Sequence, residues 1–171
     1  MDRAGGWANV GDLSAFLPAV MVFLTLCFVF GCATDASTSA ANEAGKPLKI
    51  KPVEIPGLRV SKTPAGQSVF NSKEEWGDFW AKYHATPSPE FNFKDFTLVT
   101  VLLGQRPNSG YSVKIAGATE YPDKIVVNVV EYLPSPGMMY AQVIVHPYDA
   151  VLIPKTGKEI RFEVAKKSGR S

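Results

Sequence analysis

The chain has 171 residues, 46% of them hydrophobic and 20% charged, with a formal net charge of +2, two cysteines and a mean hydropathy of zero. So weak a charge excludes nucleic acid as the main partner, because phosphate binding needs a clustered basic face. The wealth of aromatic and β-branched residues from Leu48 onward excludes disorder over most of the chain.

These averages conceal two different stretches. Residues 1–32 hold 21 hydrophobic residues against three charges, Asp2, Arg3 and Asp12. Leu13 to Phe30 is free of charge, which meets the length of a bilayer-spanning helix and also fits a long secretory core. The string Val29-Phe30-Gly31-Cys32 resembles the lipobox of bacterial lipoproteins, in which a small residue precedes a cysteine that is acylated and becomes the new N-terminus. That resemblance marks Cys32 as a lipidation site and residues 1–32 as a lipoprotein-type signal; the alternatives are an uncleaved anchor helix or an ordinary cleaved signal. Every one of these places the remainder outside the cytoplasm, in the bacterial cell envelope, held at a membrane by a lipid or by the N-terminal helix. Cys27 lies in the apolar run and Cys32 at its end, so the rest of the chain has no disulfide, thiolate metal site or cysteine nucleophile.

Residues 33–47 form a flexible spacer, small or polar almost throughout, ahead of a domain at 48–165 and a basic tail at 166–171. A domain of about 120 residues buries enough surface for one core without staples. Leu48 to Ile55 alternates, and Pro52 and Pro56 confine it to an edge or broken strand. Ser72-Lys-Glu-Glu75 is a capping-box pattern, and Trp76, Phe79, Trp80 and Tyr83 follow on one helical face, a stripe that reads as core packing. Pro87 and Pro89 close that helix off. Phe96 to Leu103 is an apolar run that fits a buried central strand. Further strands are predicted at 111–115, 124–133, 140–146 and 158–164, with turns at 104–110, 117–123, 134–137, 146–149 and 154–157. Six or so strands, one helix and no βαβ alternation predict a mainly β fold on the border of α+β, an antiparallel sandwich or barrel-like domain with one amphipathic helix, preceded by the export segment.

Catalytic vocabulary is thin. His84 and His146 are the two histidines; the first ends the helix, where the dipole favours a cation, and the second precedes Pro147 in a turn. No Gly-x-Ser-x-Gly and no helical His pair accompanies them, and Gly104–Gly110 joins two strands rather than opening a helix. No enzyme activity, cofactor or metal is therefore expected. Three turns hold the residue types that protein interfaces enrich: Arg106, Pro107, Asn108, Ser109, Gly110 and Tyr111; then Gly137, Met138 and Met139; then His146, Pro147 and Tyr148.

Asn71 to Trp80, Phe91 to Gly104 and Arg106 to Ile115, followed by Ala141-Gln-Val-Ile-Val-His-Pro-Tyr148 and Val151 to Pro154, resemble the C-terminal domain of the PrcB family of protease-complex subunits. The likeness spans about Ser68 to Phe162, and its strongest element is Gly104-x-x-Pro107-x-x-Gly110-Tyr111 after an apolar strand. Asn92 stands where an acidic residue is frequent, and Ser109 where a second glycine is. The resemblance implies an exported, non-catalytic lipoprotein that binds and stabilises a protein partner, a protease among the candidates. A weaker loop likeness to chagasin-type cysteine-protease inhibitors rests on Pro107, Gly110 and Tyr111, on Gly137, and on Pro147 with Tyr148, with His146 in place of an arginine. Inhibition is thus the alternative function, and an unrecognised hydrolase built around His146 is the second.

Overall fold

The computed structural model describes residues 44–59 and 62–169. The signal segment, Cys32 and nearly all of the spacer lie outside the described residues. The predicted mainly β fold with one helix is borne out. In chain order the elements are β1 (Lys46–Leu48), β2 (Lys51–Pro52), a 3-10 turn (Pro56–Arg59), β3 (Gly66–Phe70), α1 (Lys73–Tyr83), β4 (Phe96–Leu102), β5 (Ser112–Glu120), β6 (Lys124–Leu133), β7 (Tyr148–Pro154) and β8 (Glu159–Ser168). One sheet runs β1-β5-β6-β8 and the other β2-β7-β4-β3.

The two sheets differ in how many faces they bury, and the sequence pattern follows from that. Val99, Val101 and Leu103 of the β4 region, with Val151 and Ile153 of β7, point at the first sheet and pack on Val113, Ile115, Ala118, Ile125, Val127 and Val129. Leu98 and Leu102, with Ala150 and Leu152, point the other way, onto Trp76, Trp80, Ile55 and Leu58. The second sheet is therefore a middle layer between the first sheet and the helix. That is why β4 from Thr97 to Leu102 and β7 from Ala150 to Ile153 are buried at every position while β5, with an outer face in water, alternates.

The helix starts where its cap residues require. Ser72 Oγ accepts from the Glu75 N–H at 3.2 Å, and Glu75 Oε2 accepts from the Asn71 N–H at 2.7 Å, a capping box whose return bond lands one residue early. Trp76 donates its indole N–H to the Pro89 carbonyl at 2.8 Å and Trp80 to Thr86 at 2.7 Å, so the two tryptophans of the stripe are core with their N–H groups satisfied, and the half-buried Phe79 packs against them. The predicted Leu48–Ile55 strand is split: β1 pairs with β5, and β2 crosses to pair with β7.

Several expectations need correction. β3 and β7 were not foreseen as strands, and Tyr148 and Asp149, predicted in a turn, belong to β7. β5 runs to Glu120, through a bulge between Ile115 and Gly117, where a turn was expected. β8 pairs parallel to β6 in a sandwich otherwise antiparallel. The chain leaves the first sheet after β6, makes β7 in the second, and returns; two reversals bring β8 back in the direction of β6. β8 also extends to Ser168, so Lys166 and Lys167, read as tail, are strand residues. Tyr140–His146 forms no strand: its one ladder contact is the isolated bridge Arg106↔Val145.

Candidate functional site

The turns singled out in the sequence are two connections, and both lie at one end of the sandwich. The β4–β5 connection holds Arg106–Tyr111. The other two predicted turns are the two ends of the β6–β7 connection, residues 134–147. The connections interlock through paired bonds: Arg106 N–H to the Val145 carbonyl at 2.8 Å, Val145 N–H to Arg106 at 3.0 Å, Ser109 N–H to Ala141 at 3.1 Å, and Ala141 N–H to Ser109 Oγ at 3.2 Å. Asn108 Oδ1 accepts from the Gly110 N–H at 3.0 Å and tightens the turn. A Cβ on Gly110 would lie 2.9 Å from the Tyr140 ring, so glycine is required for the close approach. Tyr140 in turn accepts the Ser135 N–H on its hydroxyl at 2.9 Å.

Arg106 is half-buried and positioned from two sides. Its Nη2 lies 3.4 Å from Oε1 of the buried Glu131 on β6, and its guanidinium sits 5.5 Å from the Tyr111 ring centroid. Lys166 of β8 reaches the other Glu131 oxygen at 3.9 Å. Glu131 thus answers two cations while the Arg106 Nε stays buried without a partner. Tyr148 is tied into the fold: its hydroxyl accepts the Ile55 N–H at 2.8 Å, and Arg59 lies 5.9 Å from its ring centroid. Pro147 lends its carbonyl to Leu103 N–H at 2.9 Å and leads straight into β7, so the third loop expected from the likeness to chagasin-type inhibitors is not a separate loop.

Between the connections lies an open groove of about 520 Å³ lined by Tyr111, Ile144, His146, Tyr148 and Arg59, among others. His146 also borders a second hollow of about 410 Å³ with Lys62, Gly104 and Arg106. Its Nε2 is buried without a hydrogen-bond partner, so neither a carboxylate nor a hydroxyl orients it there, as a hydrolytic base requires. His84 is occupied elsewhere, stacked on Trp80 with ring centroids 3.8 Å apart. Burial pushes its imidazole below the ordinary value, opposite to the cation-favouring role expected at a helix end. Among the described residues no three His, Cys, Asp or Glu side chains gather as metal ligands.

The exposed apolar surface is concentrated on the β6–β7 connection. Met138, Met139, Val143 and Ile144 are 65%, 98%, 52% and 64% exposed, and Val164 on β8 is the one other large hydrophobic residue so exposed among the described residues. Gly137, at φ 79°, turns the chain just before the methionines. Met138 and Met139 line neither hollow; the groove is closed instead by Ile144, Arg59 and Tyr148. Arg59, Val143 and Ile144 were missed as site residues because Arg59 is far away in sequence and the valine–isoleucine pair was assigned to a strand.

Among the described residues no helix is long and apolar enough to cross a membrane. No curated protein and no solved structure matches the chain. Over residues 97–154, from the second residue of β4 to the end of β7 and including both connections, the chain matches the family described as PrcB C-terminal, which bears out the resemblance to the PrcB family.

Proposed function

We propose that this chain is a non-catalytic extracytoplasmic lipoprotein whose β-rich domain binds and stabilises a protein partner, a secreted or surface protease complex by the family likeness. The observation that carries the reading is the exposed run of Met138, Met139, Val143 and Ile144 on a connection held in place by the β4–β5 loop. Large apolar side chains set in water on a braced segment are costly unless something covers them. The matched family region contains both connections whole, which supports placing the shared property of that family there. Acylation at Cys32 would tether the domain to a membrane through the spacer at 33–47, where a partner at the cell surface is within reach.

Affinity capture with the full chain, followed by identification of bound proteins, tests this directly. A protease or its precursor is expected to be enriched by the native chain and lost with Ile144→Asp, and its cellular abundance is expected to fall when the gene is deleted. An unchanged abundance together with no co-purifying protein rejects the reading. The tether is tested by the mass of the mature N-terminus, with Cys32→Ser expected to release the protein from the membrane fraction.

A further inference from the structure

The backbone of the segment Ala141–Val145 is bonded to the β4–β5 loop at its two ends, Ala141 and Val145, and, among the described residues, to nothing in between. Ala141 and Val145 turn their N–H and carbonyl groups toward the β4–β5 loop, where Ser109 and Arg106 pair with them. Backbone direction alternates along an extended chain, so the polar groups of Gln142 and Ile144 turn away from that loop. Among the described residues the N–H groups of Gln142, Val143 and Ile144 find no acceptor. The sequence Gln-Val-Ile-Val has strong strand propensity, and the free side chains of Val143 and Ile144 flank those open backbone groups.

The surrounding charge says what fits. Arg59 lines the adjoining groove, and Lys62, Arg106 and His146 line the hollow beside it. Carboxylates in this region are already engaged: Glu131 is shared by Arg106 and Lys166, Glu54 lies 3.7 Å from Arg59, and Asp149 accepts the Ile115 and Ala150 N–H groups. A second copy of this chain paired through the same segment would bring Arg59 and Lys62 against their own kind, which repels. Three of the four edge strands are guarded: β1 and β2 are short and contain Pro47 and Pro52, and β8 carries Glu159, Arg161, Glu163, Lys166 and Lys167, whereas β3 (Gly66–Phe70) has neither charge nor proline and presents the polar Gln67 and Ser68 without large exposed apolar side chains. The Gln142–Ile144 edge has no such guard.

We infer that this segment is a docking edge to which the partner adds an extended apolar strand bearing acidic side chains, its backbone pairing with Gln142 and Ile144 and its carboxylates reaching toward Arg59 and Lys62. The inference rests on the partner-binding reading above and specifies its mode.

The test uses the full chain and three blocked synthetic peptides. One alternates valine with threonine and carries two glutamates; the second has lysines in place of the glutamates; the third repeats the first with alternate backbone nitrogens methylated. Amide exchange measured by NMR is expected to slow at least tenfold at Gln142 and Ile144 when the glutamate peptide saturates. The lysine peptide is expected to bind about tenfold more weakly because its charges oppose Arg59 and Lys62. The methylated peptide should leave both amides unprotected. Absence of binding, equal affinity of the three peptides, binding that leaves those two amides unchanged, or protection that grows with protein concentration alone would overturn the inference, the last in favour of self-pairing. If it fails while Ile144→Asp still abolishes capture of the partner, the binding surface stands and only its strand-pairing mode is wrong; if capture is unaffected by Ile144→Asp, the surface itself is wrong.

Discussion

Single side chains in this domain join parts of the fold that hydrophobic packing alone would leave unregistered. Asp149 is the clearest case. β1 covers only the Ala118–Glu120 end of β5, and Asp149 reaches from β7 across the sandwich so that its Oδ2 accepts the Ile115 N–H at 2.6 Å beside the bulge, while Oδ1 accepts the Ala150 N–H. Asp149→Ala orphans the Ile115 donor and is expected to cost about 1–3 kcal/mol in denaturant unfolding. Burial raises the Asp149 carboxyl above its ordinary value, the two N–H bonds opposing this in part. A raised carboxyl contributes stability that is complete below the unfolded value and lost as pH rises through the folded one, so Asp149→Asn should flatten that segment of the pH–stability curve. His84 has the opposite sign. Its imidazole is depressed by burial beside Trp80, so its contribution is present above about pH 6.5 and is lost as pH falls through the lower folded value. His84→Phe keeps a ring on Trp80 and should reduce the loss of melting temperature between pH 7 and pH 5. Because the two groups run in opposite directions, each is read as the difference between variant and parent across the pH range.

At the scale of elements, α1 is fastened by its aromatic face. Trp76 is 1% exposed, 5.1 Å from the Phe70 ring centroid in an edge-on arrangement and 5.8 Å from Phe91. Trp76→Ala should cost about 3–5 kcal/mol, measured as a shift in the unfolding midpoint. The 3-10 turn fits beneath the same helix, and a Cβ at Gly57 would come within 2.5 Å of the Trp80 ring. Gly57→Ala should therefore destabilise by about 1–3 kcal/mol through overpacking. The helix was legible because capping and a stripe of four aromatics are local signals. β4 and β6 were legible as long apolar runs. β7 was not: its apolar core is short and bracketed by Pro147 and Pro154, and only its place in a layer buried on both faces makes it a strand. Tyr140–Val145 failed in the other direction, because its alternation satisfies the pattern of a strand while no neighbour supplies a full ladder.

For the whole molecule, the site is a product of topology. Arg106–Tyr111 and the β6–β7 connection meet because β4 and β7 are neighbours in one sheet and β5 and β6 in the other, which brings both connections to one end. Gly110→Ala should push Tyr140 from the β4–β5 loop and lower partner capture, read by the same affinity experiment, with little change in far-UV circular dichroism because the sheets lie outside the contact. The sequence by itself determined the strand-rich class, the cap and face of α1, the cysteine-free domain and the choice of Arg106, Met138, Met139 and His146 as residues of interest, since composition, periodicity and turn chemistry are local. Only the tertiary structure decided the three layers, the parallel return of β8, the burial of Glu131 under two cations and the open backbone edge at Gln142–Ile144. Those depend on which strands become neighbours, and pairing energy is shared between segments far apart in the chain.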